Sequence, residues 1–266
     1  MPHLFSAQGD HAIAEIVARH PLLALDFDGT LAPIVPLPDQ ARAPLAITRT
    51  LAQLVDRLPV AIVTGRSVED VSGRLGFTPH YIVGNHGAEG LPGYTPVDHQ
   101  PLVNAWLGAL HGNVEIQRSG VRIEDKGQSL SLHYRLARNR DQAREAIQGA
   151  ISALSPQPRV IGGKCVFNLL PTDAPDKYQA VRLLVREAGC DCAIFAGDDI
   201  TDDVVFEQAP SDWLTVRIEA RDHHHARFHL SLQSEMASFL QRLLAAIQRS
   251  HAHLQSSHSA ERLPRR

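Results

Sequence analysis

Residues 21–30 read PLLALDFDGT, an apolar run that stops at two aspartates and a glycine. An uninterrupted apolar segment of this length matches a strand buried on both faces of a parallel sheet, and the glycine that follows permits a turn. Side chains alternate along a strand with a period of two, so Asp26 and Asp28 point the same way at its C-terminal end. Ligands of open α/β sheets bind at that end. This one stretch therefore begins a fold and supplies its first two candidate functional groups.

Working outward, residues 44–58 place Leu45, Leu51, Leu54, Val55 and Leu58 at helical spacing, and PVAIV (59–63) is a second buried strand ending in Thr64-Gly65-Arg66. Together with the first strand they make a βαβ unit. Ser67 and Asp70 form a capping pair for the next helix, and Tyr81 to Val83 adds a third strand. Beyond Gly90 the texture changes: Val114, Ile116, Val121, Ile123, Leu130 and Leu132 alternate with polar residues, as half-exposed antiparallel strands do. An amphipathic helix over 141–154 and a strand over 165–170 follow. After Pro171 the parallel pattern resumes with a helix from Asp176 to Ala188 and a buried strand from Ala193 to Ala196. The expected fold is α/β: a Rossmann-like parallel-sheet core (1–99 and 173–250) interrupted by an inserted α+β cap (100–172). The last helix is expected over 234–247, with a disordered polar tail over 251–266.

The chain has 266 residues, 44% of them apolar, enough for a sizeable core. A formal charge of -3 offers no positive field for nucleic acid or an anionic membrane, so neither is an expected partner and any phosphate binding must be local. Charged residues interrupt the N-terminal segment, which therefore lacks the pattern of a secretory signal, and no apolar run is long enough to span a bilayer. Cys165, Cys190 and Cys192 give no disulfide framework, which suits a cytoplasmic location. His223-His224-His225 reads as a solvated loop.

A carboxylate can attack phosphorus to form an aspartyl phosphate, and a neighbouring carboxyl group can protonate the leaving oxygen and later deprotonate water. Asp26 is the candidate nucleophile and Asp28 the candidate acid/base. Thr64 and the Gly65 N–H, at the mouth of the second strand, can hold phosphoryl oxygens. The run Gly197-Asp198-Asp199-Ile200-Thr201-Asp202-Asp203 brings carboxylates beside Asp26 for an oxygen-lined Mg²⁺ site, with Asp198 the first choice as ligand and Asp199 and Asp202 as further or supporting ligands. Lys177 can offset the negative charge around Asp26 and bind phosphate. Each signal alone has a bland reading: a turn cap, a solvated acidic loop, a surface lysine. Their order along the chain makes them one site.

This set resembles the four motifs of the haloacid dehalogenase (HAD) superfamily, as DFDGT (26–30), TGR (64–66), Lys177 and GDDITDD (197–203). Asn85-His86-Gly87-Ala88-Glu89, Glu124-Asp125-Lys126-Gly127, His133-Tyr134-Arg135 and Gly163-Lys164 look like the trehalose-6-phosphate phosphatase family in particular. The resemblance implies a magnesium-dependent phosphatase acting on trehalose 6-phosphate, in functional link with a trehalose-6-phosphate synthase. It implies that Asp26, Asp28 (through its carbonyl) and Asp198 hold Mg²⁺, and that Glu124, Lys126 and Lys164 bind sugar hydroxyls. Gly65, Arg66, Asn85, His86 and Asn168 complete the expected substrate contacts. The chain departs from the family where Asn168-Leu169-Leu170 stands in place of an acidic residue and an arginine before the proline, and where Tyr178 replaces a glycine. Another sugar phosphate such as sucrose 6-phosphate, a phosphosugar mutase, a receiver module and a silent sugar-phosphate-binding regulator are the alternatives.

Overall fold

The computed structural model describes residues 1–94, 97–163, 165–219 and 225–261, with residues 251–261 as backbone alone. Lys164, His223 and His224 lie outside the described residues. In chain order, α1 (Ala7–Val17), β1 (Pro21–Leu25), α2 (Leu45–Val55), β2 (Val60–Val63), α3 (Val68–Ser72) and β3 (Tyr81–Val83) make the first portion. Then come α4 (Gln100–Gly112), α5 (Val114–Ser119), β4 (Arg122–Asp125), β5 (Leu130–His133), α6 (Arg140–Ser152), β6 (Arg159–Gly163) and β7 (Val166–Leu170). The last portion is α7 (Lys177–Glu187), β8 (Cys192–Gly197), α8 (Ile200–Gln208), β9 (Leu214–Ile218), β10 (Phe228–Leu230) and α9 (Met236–Glu261).

The first and last portions share one sheet of six parallel strands in the order β10-β9-β8-β1-β2-β3. Its centre is β1, every residue of which is buried, with Leu25 beside Ile62 of β2 and Ala196 of β8. From β1 the chain winds one way through β2 and β3, then returns to the other side of β1 with β8. The order reverses between β1 and β8, so their C-terminal ends border the crevice where an open α/β sheet binds ligands. The middle portion forms its own antiparallel sheet, β4-β5-β7-β6, over α4, α5 and α6. Trp106, Leu110, Ile116, Leu132, Ile147 and Leu169 form a separate apolar cluster there, and the buried Trp106 indole N–H donates to Pro156 O at 2.8 Å. The architecture is the expected α/β core with an inserted α+β layer.

Two local expectations differ from the structure. Val114 and Ile116 lie on the helix α5 instead of a strand. The Asn113 side chain accepts hydrogen bonds from Glu115 N and Ile116 N at the helix start, and Gly120 at φ +74° ends it. The alternation of two apolar residues in a six-residue helix is indistinguishable from a strand pattern, and the cap decides. The other difference is α9, whose backbone stays helical to Glu261, past Ile247 and into the segment expected to be disordered; no glycine or proline interrupts residues 248–261.

The helical assignment of α5 predicts that Asn113→Ala costs about 1 kcal/mol in urea unfolding, whereas Asn113→Asp, which keeps the capping oxygen, stays near the parent. A strand at this position would show neither the loss nor the rescue.

Candidate active site

At the mouth of β1 the Asp26 carboxylate is buried and accepts a hydrogen bond from Lys177 Nζ at 2.9 Å. The same ammonium donates to Asp202 Oδ1 at 2.6 Å. Lys177 is the first residue of α7, where Asp176 caps the helix in a reciprocal bond pair with Gln179, so the chain is fixed as the lysine enters the crevice. Asp198 leaves the end of β8, and one oxygen from each of Asp26, Asp198 and Asp202 lies within 4.8 Å of the others. Asp202 Oδ2 also accepts from Asp198 N and Asp199 N, both at 3.0 Å, which folds the acidic loop back on the start of α8. Behind that loop, buried Arg217 donates to Asp198 O at 3.0 Å and pairs with Asp203. No local pattern marks this arginine, which sits buried in the strand β9 like its apolar neighbours.

Charge accounts for the protonation tendencies. Burial pushes the Asp26 pKa well up, Asp202 and Asp198 push it further, and Lys177 opposes them. Burial alone would lower Lys177, yet Asp202 and Asp26 hold it above the ordinary lysine range. Three buried carboxylates within 4.8 Å of one another, two of them bonded to Lys177, make an oxygen-rich set that fits a hard divalent cation. Gly29, at φ +81°, marks how tight the cradle is: a Cβ there would lie 2.2 Å from Asp198 Oδ2.

Asp28 has a different partner. Arg66 grips its carboxylate with two hydrogen bonds of 2.6 and 2.7 Å and continues to Asp70 at 2.6 Å, and its guanidinium lies 5.5 Å from the Phe27 ring centre. The Asp28 side chain is therefore outside the carboxylate trio, as is that of Asp199, which approaches Gly163 of the antiparallel layer. Thr64 ends β2, buried, with its Oγ1 accepting from Arg66 N at 3.2 Å. A Cβ on Gly65 would lie 2.3 Å from the His86 ring, so only glycine lets the two pack. His86 is buried, its Nδ1 has no hydrogen-bond partner among the described residues, and burial, together with Lys126, Lys177 and Arg159, holds its pKa well below an ordinary histidine's.

A cavity of about 520 Å³ joins these groups to the inserted layer. Asp26, Asp28, Thr64, Gly65, Arg66, His86, Lys177, Asp198 and Asp199 line its floor, and Glu124, Lys126 and Asn168 line the facing wall. Glu124 bonds His133 Nε2 at 2.7 Å, which with Lys126 keeps its carboxyl below the usual range. Lys126 reaches across to Gly65 O at 2.9 Å, and burial lowers its pKa. Asn168 Oδ1 accepts from Ser131 Oγ at 2.7 Å, a cross-strand bond that orients the amide. Asn85, expected among the substrate contacts, does not line the cavity: it is fully buried and bonded to Ser129 and Glu89. Sequence reasoning gave no role to Thr201, although it lies within the GDDITDD run, and missed Arg122 and the 34–40 loop, whose local pattern does not set them apart from surface residues; all of these line the cavity.

Motif residues gathered at the switch point of a parallel sheet, beneath an inserted α+β layer, define the fold of a HAD-type phosphatase with a cap. The family model described as Trehalose-phosphatase matches residues 24–234. The trehalose-phosphate phosphatase of Mycolicibacterium paratuberculosis is 30% identical over 256 residues, covering 88% of this chain and 64% of that protein. The trehalose-6-phosphate phosphatase of Escherichia coli K12 is 32% identical over 189 residues, covering 68% of this chain and 70% of that one. A solved structure described as a trehalose-6-phosphate phosphatase related protein superposes with a TM-score of 0.69 at 27% identity, over 84% of this chain and 97% of its own. The chain belongs to the trehalose-phosphatase family, and it spans just under two thirds of the length of the mycobacterial relative (64%).

His86 yields a pH signature. An unfolded histidine takes up a proton near 6.5, whereas folded His86 does not. The unfolded state binds more protons below that value, so the parent loses stability as pH falls from 7 to 5. His86→Asn removes this group from the balance, and urea titrations at a series of pH values should show a shallower decline than in the parent.

Proposed function

We propose that the protein hydrolyses trehalose 6-phosphate to trehalose and phosphate through an aspartyl phosphate on Asp26, with Mg²⁺ as cofactor. The observation that carries this reading is the placement of buried Asp26, bonded to Lys177, on the floor of a cavity whose opposite wall presents Glu124, Lys126 and Asn168. Phosphate alone does not identify a sugar, and polar groups on the facing wall supply what hydroxyl recognition needs. The cavity volume is in the range that encloses a small ligand. Membership of the family and its named relatives supports the disaccharide.

In this mechanism an Asp26 oxygen attacks phosphorus as the bond from phosphorus to the sugar oxygen breaks, and that oxygen takes a proton from Asp28. Water then attacks the aspartyl phosphate, giving its proton to Asp28 and releasing inorganic phosphate with Asp26 restored. Thr64 and the Gly65 N–H hold the phosphoryl oxygens, and Lys177 offsets their charge. The Arg66 fork has to open for Asp28 to serve the leaving oxygen, which frees the guanidinium to face substrate. Asp26, Asp198 and Asp202, with the Asp28 carbonyl and Asp199 nearby, are assigned to the metal. A bound Mg²⁺ neutralises phosphate charge and keeps Asp26 ionised. Glu124 and Lys126 bind sugar hydroxyls, with Asn168 as a neutral partner, and the layer spanning 100–172 acts as the cap that excludes bulk water. Lys164 keeps its family role as an expectation. Free thiols at Cys165, Cys190 and Cys192 support a cytoplasmic setting, and no described helix is long and apolar enough to cross a membrane. A trehalose-6-phosphate synthase is the enzyme expected to supply the substrate.

Phosphate release measured with Mg²⁺ from trehalose 6-phosphate, sucrose 6-phosphate, glucose 6-phosphate and a small aryl phosphate tests this. Trehalose 6-phosphate is expected to be preferred, with Asp26→Asn lowering kcat by on the order of 10³-fold or more. Turnover of the aryl phosphate alone would remove the disaccharide, and sugar-phosphate isomerisation without phosphate release would indicate a mutase. A chelator should abolish turnover and added Mg²⁺ should restore it; activity that persists in chelator would overturn the metal assignment.

A further inference from the structure

Asn85 and His86 are consecutive non-glycine residues with positive φ, +48° and +57°, and both are buried. Such conformations cost free energy and persist where the surroundings over-determine them. The surroundings here are three separate parts of the site. Asn85 N donates to Arg66 O at 2.8 Å and His86 N to Thr64 O at 2.9 Å, so the turn is hydrogen-bonded to the loop that holds phosphate. Gly87 packs on the helix carrying Lys177: a Cβ there would lie 2.6 Å from Asp176 O. On the cap side, Asn85 Oδ1 accepts from Ser129 Oγ at 3.0 Å, and its Nδ2 is 3.4 Å from Lys126 O. On the core side, Nδ2 donates to Glu89 Oε2 at 2.8 Å, and that oxygen accepts from Val68 N at 3.1 Å, just beyond Arg66.

We infer that Asn85 is a positioning residue, the joint that ties the β4–β5 hairpin of the cap to the Thr64–Arg66 loop, and that it makes no contact with the sugar. Both ends of its amide are used within the protein, the oxygen by Ser129 of the cap and the nitrogen by Glu89 of the core with a longer contact to Lys126 O, and the residue has no exposed surface. Asn suits the position because its oxygen and nitrogen answer opposite needs: the Ser129 hydroxyl requires an acceptor and the Glu89 carboxylate a donor. The amide also tolerates the left-handed backbone better than most residues. Lys126 Nζ donating to Gly65 O at 2.9 Å is a second crossing from the same hairpin to the same loop, so seating the cap and ordering the phosphate loop are coupled through two bonds a few residues apart.

The catalytic part of this inference rests on the phosphatase reading, and the test separates the two. Ser129→Ala deletes one hydroxyl and removes the shorter of the two cap-side contacts, leaving only the 3.4 Å approach of Nδ2 to Lys126 O, while Asn85→Ala removes the side-chain contacts on both sides. With Ser129→Ala, kcat/KM for trehalose 6-phosphate should fall about fivefold, the worth of one buried hydrogen bond. For a small aryl phosphate, which does not use the cap, it should change less than about twofold by the same reasoning. With Asn85→Ala both substrates should suffer, and the double variant should be no worse than Asn85→Ala alone. Hydrogen exchange of the substrate-free proteins reads the same coupling without turnover. Ser129→Ala should raise exchange at 126–131 and leave 63–68 protected, whereas Asn85→Ala should raise both. Equal losses on both substrates with Ser129→Ala, or unchanged protection at 63–68 with Asn85→Ala, would overturn the joint. Should Asn85→Ala not fold, the Ser129→Ala substrate ratio and exchange pattern decide. Should the parent hydrolyse only the aryl phosphate, the disaccharide reading falls and the exchange pattern still decides on Asn85.

Discussion

The ammonium of Lys177, shared between Asp26 and Asp202 with all three side chains buried, is the interaction on which the rest of this molecule depends. Burying a carboxylate without a partner is costly, and here the charges of Asp26, Asp198 and Asp202 are brought together by strands and helices distant in sequence. The lysine makes that convergence tolerable, which lets β1, β8 and the starts of α7 and α8 meet at one point. The same arrangement sets three carboxylates within 4.8 Å of one another, a buried oxygen-rich set compatible with a divalent cation.

Around that point the protein divides its labour by secondary structure. The parallel sheet contributes rigid strand ends, from which Asp26, Thr64 and Asp198 project with little freedom. The antiparallel layer contributes side chains held across a pleat, where His133 steadies Glu124 and Ser131 steadies Asn168. Arg66 stands at the boundary, gripping Asp28 while resting on Phe27 and tied to Asp70. That fork keeps the carboxylate away from the trio of Asp26, Asp198 and Asp202, so Asp26 and Asp28 face different environments although they are two residues apart.

Much of this was legible in the sequence, for identifiable reasons. Strands buried on both faces leave nearly continuous apolar runs, which is why β1, β2 and β8 stood out, and motif spacing fixed where Asp26, Thr64, Lys177 and Asp198 would converge. The layer around α4 and α5 was harder to read, since the caps and turns that make Val114 and Ile116 helical are short and the apolar pattern is ambiguous over so few residues. Arg217 was invisible because its meaning lies in the carbonyl of Asp198 and the carboxylate of Asp203, both on another element. Asn85 stands out in the sequence by its motif, which by resemblance implies a substrate contact; its amide partners, Ser129 and Glu89, are defined only once the two sheets face each other.

The two apolar clusters, one under the parallel sheet and one under the antiparallel layer, share no residue among those described. Substitutions that repack one need not disturb the other, so the layer around Trp106 and Leu132 can drift, or be exchanged for another module, while the catalytic sheet keeps its shape. Evolvability is then concentrated at a seam: what an exchanged module must preserve is the small set of contacts that Lys126 and Ser129 make with Gly65 and Asn85. A scaffold built in this way can acquire a new sugar preference in its outer layer without renegotiating the chemistry beneath.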